Sequence, residues 1–93
     1  MKNKKLEKIR KRLDILDNSF LNILKKRTKL VDQVLEIKKY KKDIIDRKRI
    51  KIILKNIKNK SQKKRIDPKI SKRIWKSMIQ AYIDYEFRNF KKK

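Results

Sequence analysis

Between Leu6 and Tyr40 the apolar residues Leu6, Ile9, Leu13, Leu16, Phe20, Ile23, Leu30, Val34 and Ile37 fall alternately three and four residues apart. That rhythm is the seam of a long helix that packs on other helices. No proline interrupts the stretch, and the chain contains no glycine at all. The predicted helix runs from about Lys4 to about Lys41, and at ~1.5 Å per residue it is about 55 Å long, more than the diameter of a compact monomer of this size. It must run past its own domain. One position breaks the seam: the spacing asks for an apolar side chain between Ile23 and Leu30, and Arg27 stands there. Burying a guanidinium without a partner is expensive, so Arg27 either turns outward or meets an anion inside the bundle. The anion is the expectation.

Downstream, Lys41-Lys42-Asp43 is a polar break, and Asp46 is suited to cap a short second helix, about residues 47–58, carrying Ile50, Ile53, Leu54 and Ile57. Lys58 to Arg65 has no apolar residue and reads as a loop. Asp67-Pro68 then sets a capping carboxylate before a proline suited to the first helical turn, opening a third helix over about residues 68–90. No strand pattern or internal repeat is visible. The expected fold class is all-α, a single domain over residues 1–93 built of a long, a short and a medium helix.

Composition narrows the chemistry. The 93 residues include no cysteine and no histidine, which removes disulfides, thiolate metal sites, the usual general base and any Ser-His or Cys-His nucleophile pair. No metal and no cofactor is expected. The opening Met1-Lys-Asn-Lys-Lys-Leu-Glu-Lys lacks the apolar core of a signal peptide, and no run is long enough to span a bilayer, so a cytoplasmic protein is expected with no membrane partner. A net charge of +23 is the footprint of a nucleic-acid binder. Yet the lysines are spread over every segment rather than clustered, as a solvated surface would be, and nucleic-acid binding is expected to be unspecific. Arginine is the scarcer cation, eight of 33 basic residues, and its planar fork marks positions where more than charge is needed.

Helix three has an anomaly of its own. Trp75, Ile79, Tyr82, Glu86 and Phe90 follow one another at four, three, four and four residues, so Glu86 lies on an otherwise apolar stripe, either at its rim or buried for a function. On helix one, Arg27 and Lys38 are eleven residues apart and project from nearly one line, roughly 16 Å apart along the axis. Arg10 lies about 25 Å from Arg27 and roughly 100° around the helix, so it cannot join the same pocket from the same chain. An antiparallel partner could bring it there.

These residues resemble a known family. Ile9-Arg10-Lys11-Arg12-Leu13-Asp14-Ile15-Leu16-Asp17 is similar to the opening pattern of the AroQ-class chorismate mutases, and Lys26-Arg27-Thr28-Lys29-Leu30-Val31, Lys38, Asp46-Arg47-Lys48-Arg49, Ile66-Asp67-Pro68 and Ile74-Trp75-Lys76-Ser77-Met78-Ile79 continue the likeness in order. It implies an intertwined helical homodimer, in which each site takes one arginine from the other subunit. It also implies an isomerase without cofactor that turns chorismate into prephenate on the way to phenylalanine and tyrosine. Carried over, Arg27 and the partner subunit's Arg10 would clamp the two carboxylates of the substrate. Lys38 would donate to the ether oxygen, Asp46 would hold the ring hydroxyl, and Arg49 would complete the positive wall. Glu86 falls where many members have glutamine, and it can donate to the ether oxygen only when protonated.

Two residues depart from the pattern. Members usually follow the arginine at the position of Arg49 with glutamate, where this chain has Ile50, and some carry a small polar residue where Tyr82 stands. An apolar residue after that arginine is similar to the isochorismate-pyruvate lyases, relatives with the same fold and carboxylate clamp. A mutase, such a lyase and a non-catalytic basic helical binder of nucleic acid are therefore the three readings carried forward. Each residue also has a plainer reading, as a snorkelling arginine, a surface lysine, a helix cap or a core aromatic. Only their joint, ordered occurrence favours a site.

Overall fold

The computed structural model describes residues 3–91. The outer ends of the expected 1–93 domain, Met1, Lys2, Lys92 and Lys93, lie outside the described residues. Three helices form, α1 Lys4–Ile37, α2 Arg47–Lys63 and α3 Pro68–Asn89, with a 3-10 turn at Lys41–Asp43 between the first two. There is no strand among the described residues. The chain divides into two compact units, Met1–Gln33 and Val34–Lys93.

The first unit is the body of α1. Asn3 starts it, its side-chain oxygen accepting from Leu6 N–H at 3.1 Å and its carbonyl from Glu7 N–H at 3.0 Å. The apolar seam forms on the helix as the spacing requires. Leu6, Ile9, Leu13, Leu16, Phe20, Ile23 and Leu30 are all exposed, Leu16 at 64%. A different line of the same helix is sheltered: Leu24, Arg27, Thr28 and Val31 are half-buried. Arg27 therefore does not turn outward, and it lies on this second line as well as in the seam's register.

The second unit holds the end of α1, the 3-10 turn, α2 and α3. Its caps are those the sequence announces. Asp46 accepts from Arg49 N–H at 3.0 Å, Asp67 accepts from Lys69 N–H at 2.9 Å, and Pro68 opens α3 where its missing N–H costs nothing. Two helix ends differ from expectation. α1 stops at Ile37 rather than near Lys41, because Tyr40 is extended (φ −127°, ψ 146°) and the 3-10 turn that follows carries Ile44 into the core at 3% exposure. Burial of Ile44, not a local breaker, ends the helix. α2 runs on to Lys63 through the stretch read as a loop. Polar residues without glycine or proline continue a helix readily, and Ser61 in that stretch is buried against α3.

The α2–α3 turn is closed by backbone geometry. Arg65 takes a left-handed φ of 57°, with Ile66 N–H donating to the Ser61 carbonyl at 2.8 Å and Arg65 N–H to the Gln62 carbonyl at 3.2 Å. This is the Schellman arrangement in which glycine is usual; a chain without glycine places an arginine there. Just inside the turn the two helices touch through small polar residues, Ser61 Oγ and Ser71 Oγ lying 2.7 Å apart, at 4% and 6% exposure. Ser61 Oγ also lies 2.6 Å from the Ile57 carbonyl oxygen, so the buried hydroxyls are satisfied. Leu35 and Ile44 are the buried apolar residues, while Trp75, Met78, Ile79 and Tyr82 are half-buried. No helix among the described residues is long and apolar enough to cross a membrane.

Candidate functional site

In the second unit Lys38 follows directly on the last residue of α1, and its side chain is fixed by two acceptors. Its Nζ donates to the Ile44 carbonyl at 3.1 Å and to Glu86 Oε1 at 3.3 Å. The Ile44 carbonyl is available because the 3-10 turn folds that residue inward. Glu86, on the last turns of α3, is 7% exposed, which settles the choice between rim and interior. Across 48 residues of sequence the fold thus pairs a sheltered ammonium with a buried carboxylate. An ammonium has three protons, so one donor of Lys38 remains for a ligand, as does Glu86 Oε2.

The other candidates of this unit are placed without being joined to that pair. Asp46 is exposed and acts as the α2 cap, with Arg49 exposed in the first turn beyond it. Ile50 is half-buried on the same turn. Tyr82, one turn before Glu86, is half-buried and meets Tyr85 edge to face, ring centroids 6.3 Å apart at 83°. That contact fixes the plane of the Tyr82 ring by the quadrupole preference of aromatic pairs.

In the first unit Arg10 is exposed. It lies about 25 Å along α1 from Arg27, so one chain does not bring the two together. Arg27 is half-buried, and its Nε has no hydrogen-bond partner among the described residues. A buried guanidinium N–H without an acceptor is rare because its desolvation goes uncompensated.

A family model described as chorismate mutase type II matches residues 9–87. The chain belongs to that family. No curated protein and no solved structure matches it. The chorismate mutase match takes in every residue singled out above, from Arg10 to Glu86.

Sequence reasoning missed the Ile44 carbonyl, since a backbone acceptor has no residue-type signature. It also missed the sheltered line of α1. The signal for that line was present in Leu24, Val31 and Leu35, apolar residues outside the seam at helical spacing.

Proposed function

We propose that this protein is a chorismate mutase, converting chorismate to prephenate in the cytoplasm on the route to phenylalanine and tyrosine. Within its family, the observation that carries the reading is the Lys38–Glu86 pair: a sheltered ammonium, held by Ile44 and Glu86, that keeps one donor free. The reaction is a pericyclic rearrangement in which an ether C–O bond breaks as a C–C bond forms. It needs no nucleophile and no proton transfer, which suits a chain with no histidine and no cysteine. What it needs is a substrate held in its compact diaxial conformer and donors aimed at the oxygen that gains negative charge.

In this mechanism Lys38 donates to the ether oxygen through its remaining proton. Glu86, when neutral, supplies a second hydrogen bond from its carboxylic O–H; when ionised it repels the same oxygen. Arg27, whose Nε has no partner among the described residues, gives its fork to one substrate carboxylate, and the partner subunit's Arg10 takes the other. Asp46 accepts from the ring hydroxyl by its free carboxylate oxygen, and Arg49 adds positive potential. The uncovered seam of α1 supports a homodimer, because a stripe of large apolar side chains along a helix is stable in water when a second copy covers it.

A second reading rests on Arg49-Ile50: an apolar, half-buried residue in place of the usual glutamate suits an isochorismate-pyruvate lyase on the same fold. One assay separates them. Purified protein is given chorismate or isochorismate and the products are identified. Prephenate from chorismate is the expected result; pyruvate release from isochorismate without prephenate formation would favour the lyase, and turnover of neither would leave a non-catalytic binder.

A further inference from the structure

The groove between α2 and α3, beside their connecting turn, has no part in the site above. Leu54 and Ile57 of α2 and Pro68 of α3 are half-buried along it and give it an apolar floor, and its volume is about 380 Å3. Sites for small molecules begin at about that size. The rim is cationic. Lys55 and Lys58 stand three residues apart on α2, facing Lys69 and Lys72 three residues apart on α3, and no carboxylate lines the groove. None of the four ammonium groups is in an ion pair among the described residues. Asp67, the nearest acidic residue in sequence, directs an oxygen to Lys69 N–H at 2.9 Å as a helix cap.

Like charges three residues apart on a helix repel, and here two such pairs confront each other across one groove. Elsewhere in the same unit the fold handles a sheltered lysine differently, setting Glu86 against Lys38. An anion seated among the four lysines converts their mutual repulsion into attraction. The floor adds a second requirement. A bare ion gains nothing from Leu54, Ile57 and Pro68, and a nucleic-acid backbone has no apolar body to lay on them. We infer that the α2–α3 groove binds a small amphipathic carboxylate, its apolar body on this floor and its charged head between the two lysine pairs. The inference is independent of the reaction proposed above.

The probe is 3-phenylpropionate, titrated into the isotope-labelled full chain at physiological salt while backbone amide signals are followed. Saturable shifts confined to residues 54–58 and 68–72 are expected. Acetate, which has the charge without the body, and 3-phenylpropanol, which has the body without the charge, should not saturate in the same range. In a Lys58→Gln/Lys69→Gln variant binding should weaken about tenfold or more, the loss of at least one charge-assisted hydrogen bond. All four lysines are exposed, so the variant should keep its helical circular dichroism and its turnover of chorismate. Shifts spread along α1 as well, acetate binding as well as the probe, or undiminished binding by the variant would overturn the site. Loss of turnover in parallel with probe binding would place the groove in the reaction site and overturn its independence.

Discussion

The body of α1 and the second unit both carry large apolar residues, and the second unit covers more of its own. In the second unit Leu35, Ile44, Trp75, Met78 and Tyr82 are at least half-buried, helix starts are capped, and the buried hydroxyls of Ser61 and Ser71 satisfy each other. In the first, seven large apolar side chains from Leu6 to Leu30 are exposed along one stripe. A helix of that kind has no reason to persist alone in water, since helical stability comes mainly from packing an amphipathic face. The contrast supports the proposal that a second copy covers the exposed stripe. It also separates Arg10, which is exposed, from Arg27, which is half-buried.

A charge on the exposed stripe of α1 should have the largest effect. Phe20→Asp changes an exposed residue, which in a monomer would cost at most about 0.5 kcal/mol. If a second copy covers Phe20, each dimer suffers the change twice, and two losses of about 2 kcal/mol weaken association about 1000-fold. Sedimentation velocity reads the result. Ile52→Asp, at an equally exposed position of α2, is the control and should leave association unchanged. Equal behaviour of the two variants would remove the distinction between the units.

Within the second unit, Glu86→Ala should lower kcat by about 10²- to 10³-fold, the usual effect of deleting one donor to a developing oxyanion. Glu86→Gln keeps a donor at every pH. The glutamine variant should therefore keep its activity. An alanine variant as fast as wild type with an unchanged melting curve would leave Lys38 as the sole donor to the ether oxygen.

Smaller effects test the finer placements. Arg27→Lys retains the charge and loses the planar fork, so kcat/KM should fall about tenfold or more; near-normal turnover would make Arg27 only a charged residue of the helix. Arg65→Gly relieves a left-handed backbone and should raise stability by up to about 1 kcal/mol in denaturant titration. No gain there would mean that the Arg65 side chain offsets the strain.

What was legible in the sequence was local or periodic chemistry. Asp46 and Asp67-Pro68 announce helix starts because a cap is made within three residues. The alternation from Leu6 to Ile37 marks one long helix because nothing in it can break one. What was not legible depends on contacts distant in sequence. The end of α1 goes with the burial of Ile44, and Ser61, in the stretch past Lys58, meets α3; neither contact follows from residue type. The Lys38–Glu86 pair was half visible: a glutamate on an apolar stripe signals that something will answer it, but not what. Arg27 stood out through the seam, although the face that shelters it is the neighbouring line of Leu24 and Val31.

In the proposed dimer two chains share each reaction site, Arg27 from one and Arg10 from the other. Arg10→Ala and Arg27→Ala proteins, each inactive alone, are mixed in equal amounts under conditions where labelled subunits are seen to exchange, and prephenate formation is measured. Half of the dimers should then be mixed, each with one intact and one doubly damaged site, so activity should return to about a quarter of the wild-type value. Proven exchange with no return of activity would contradict the shared site.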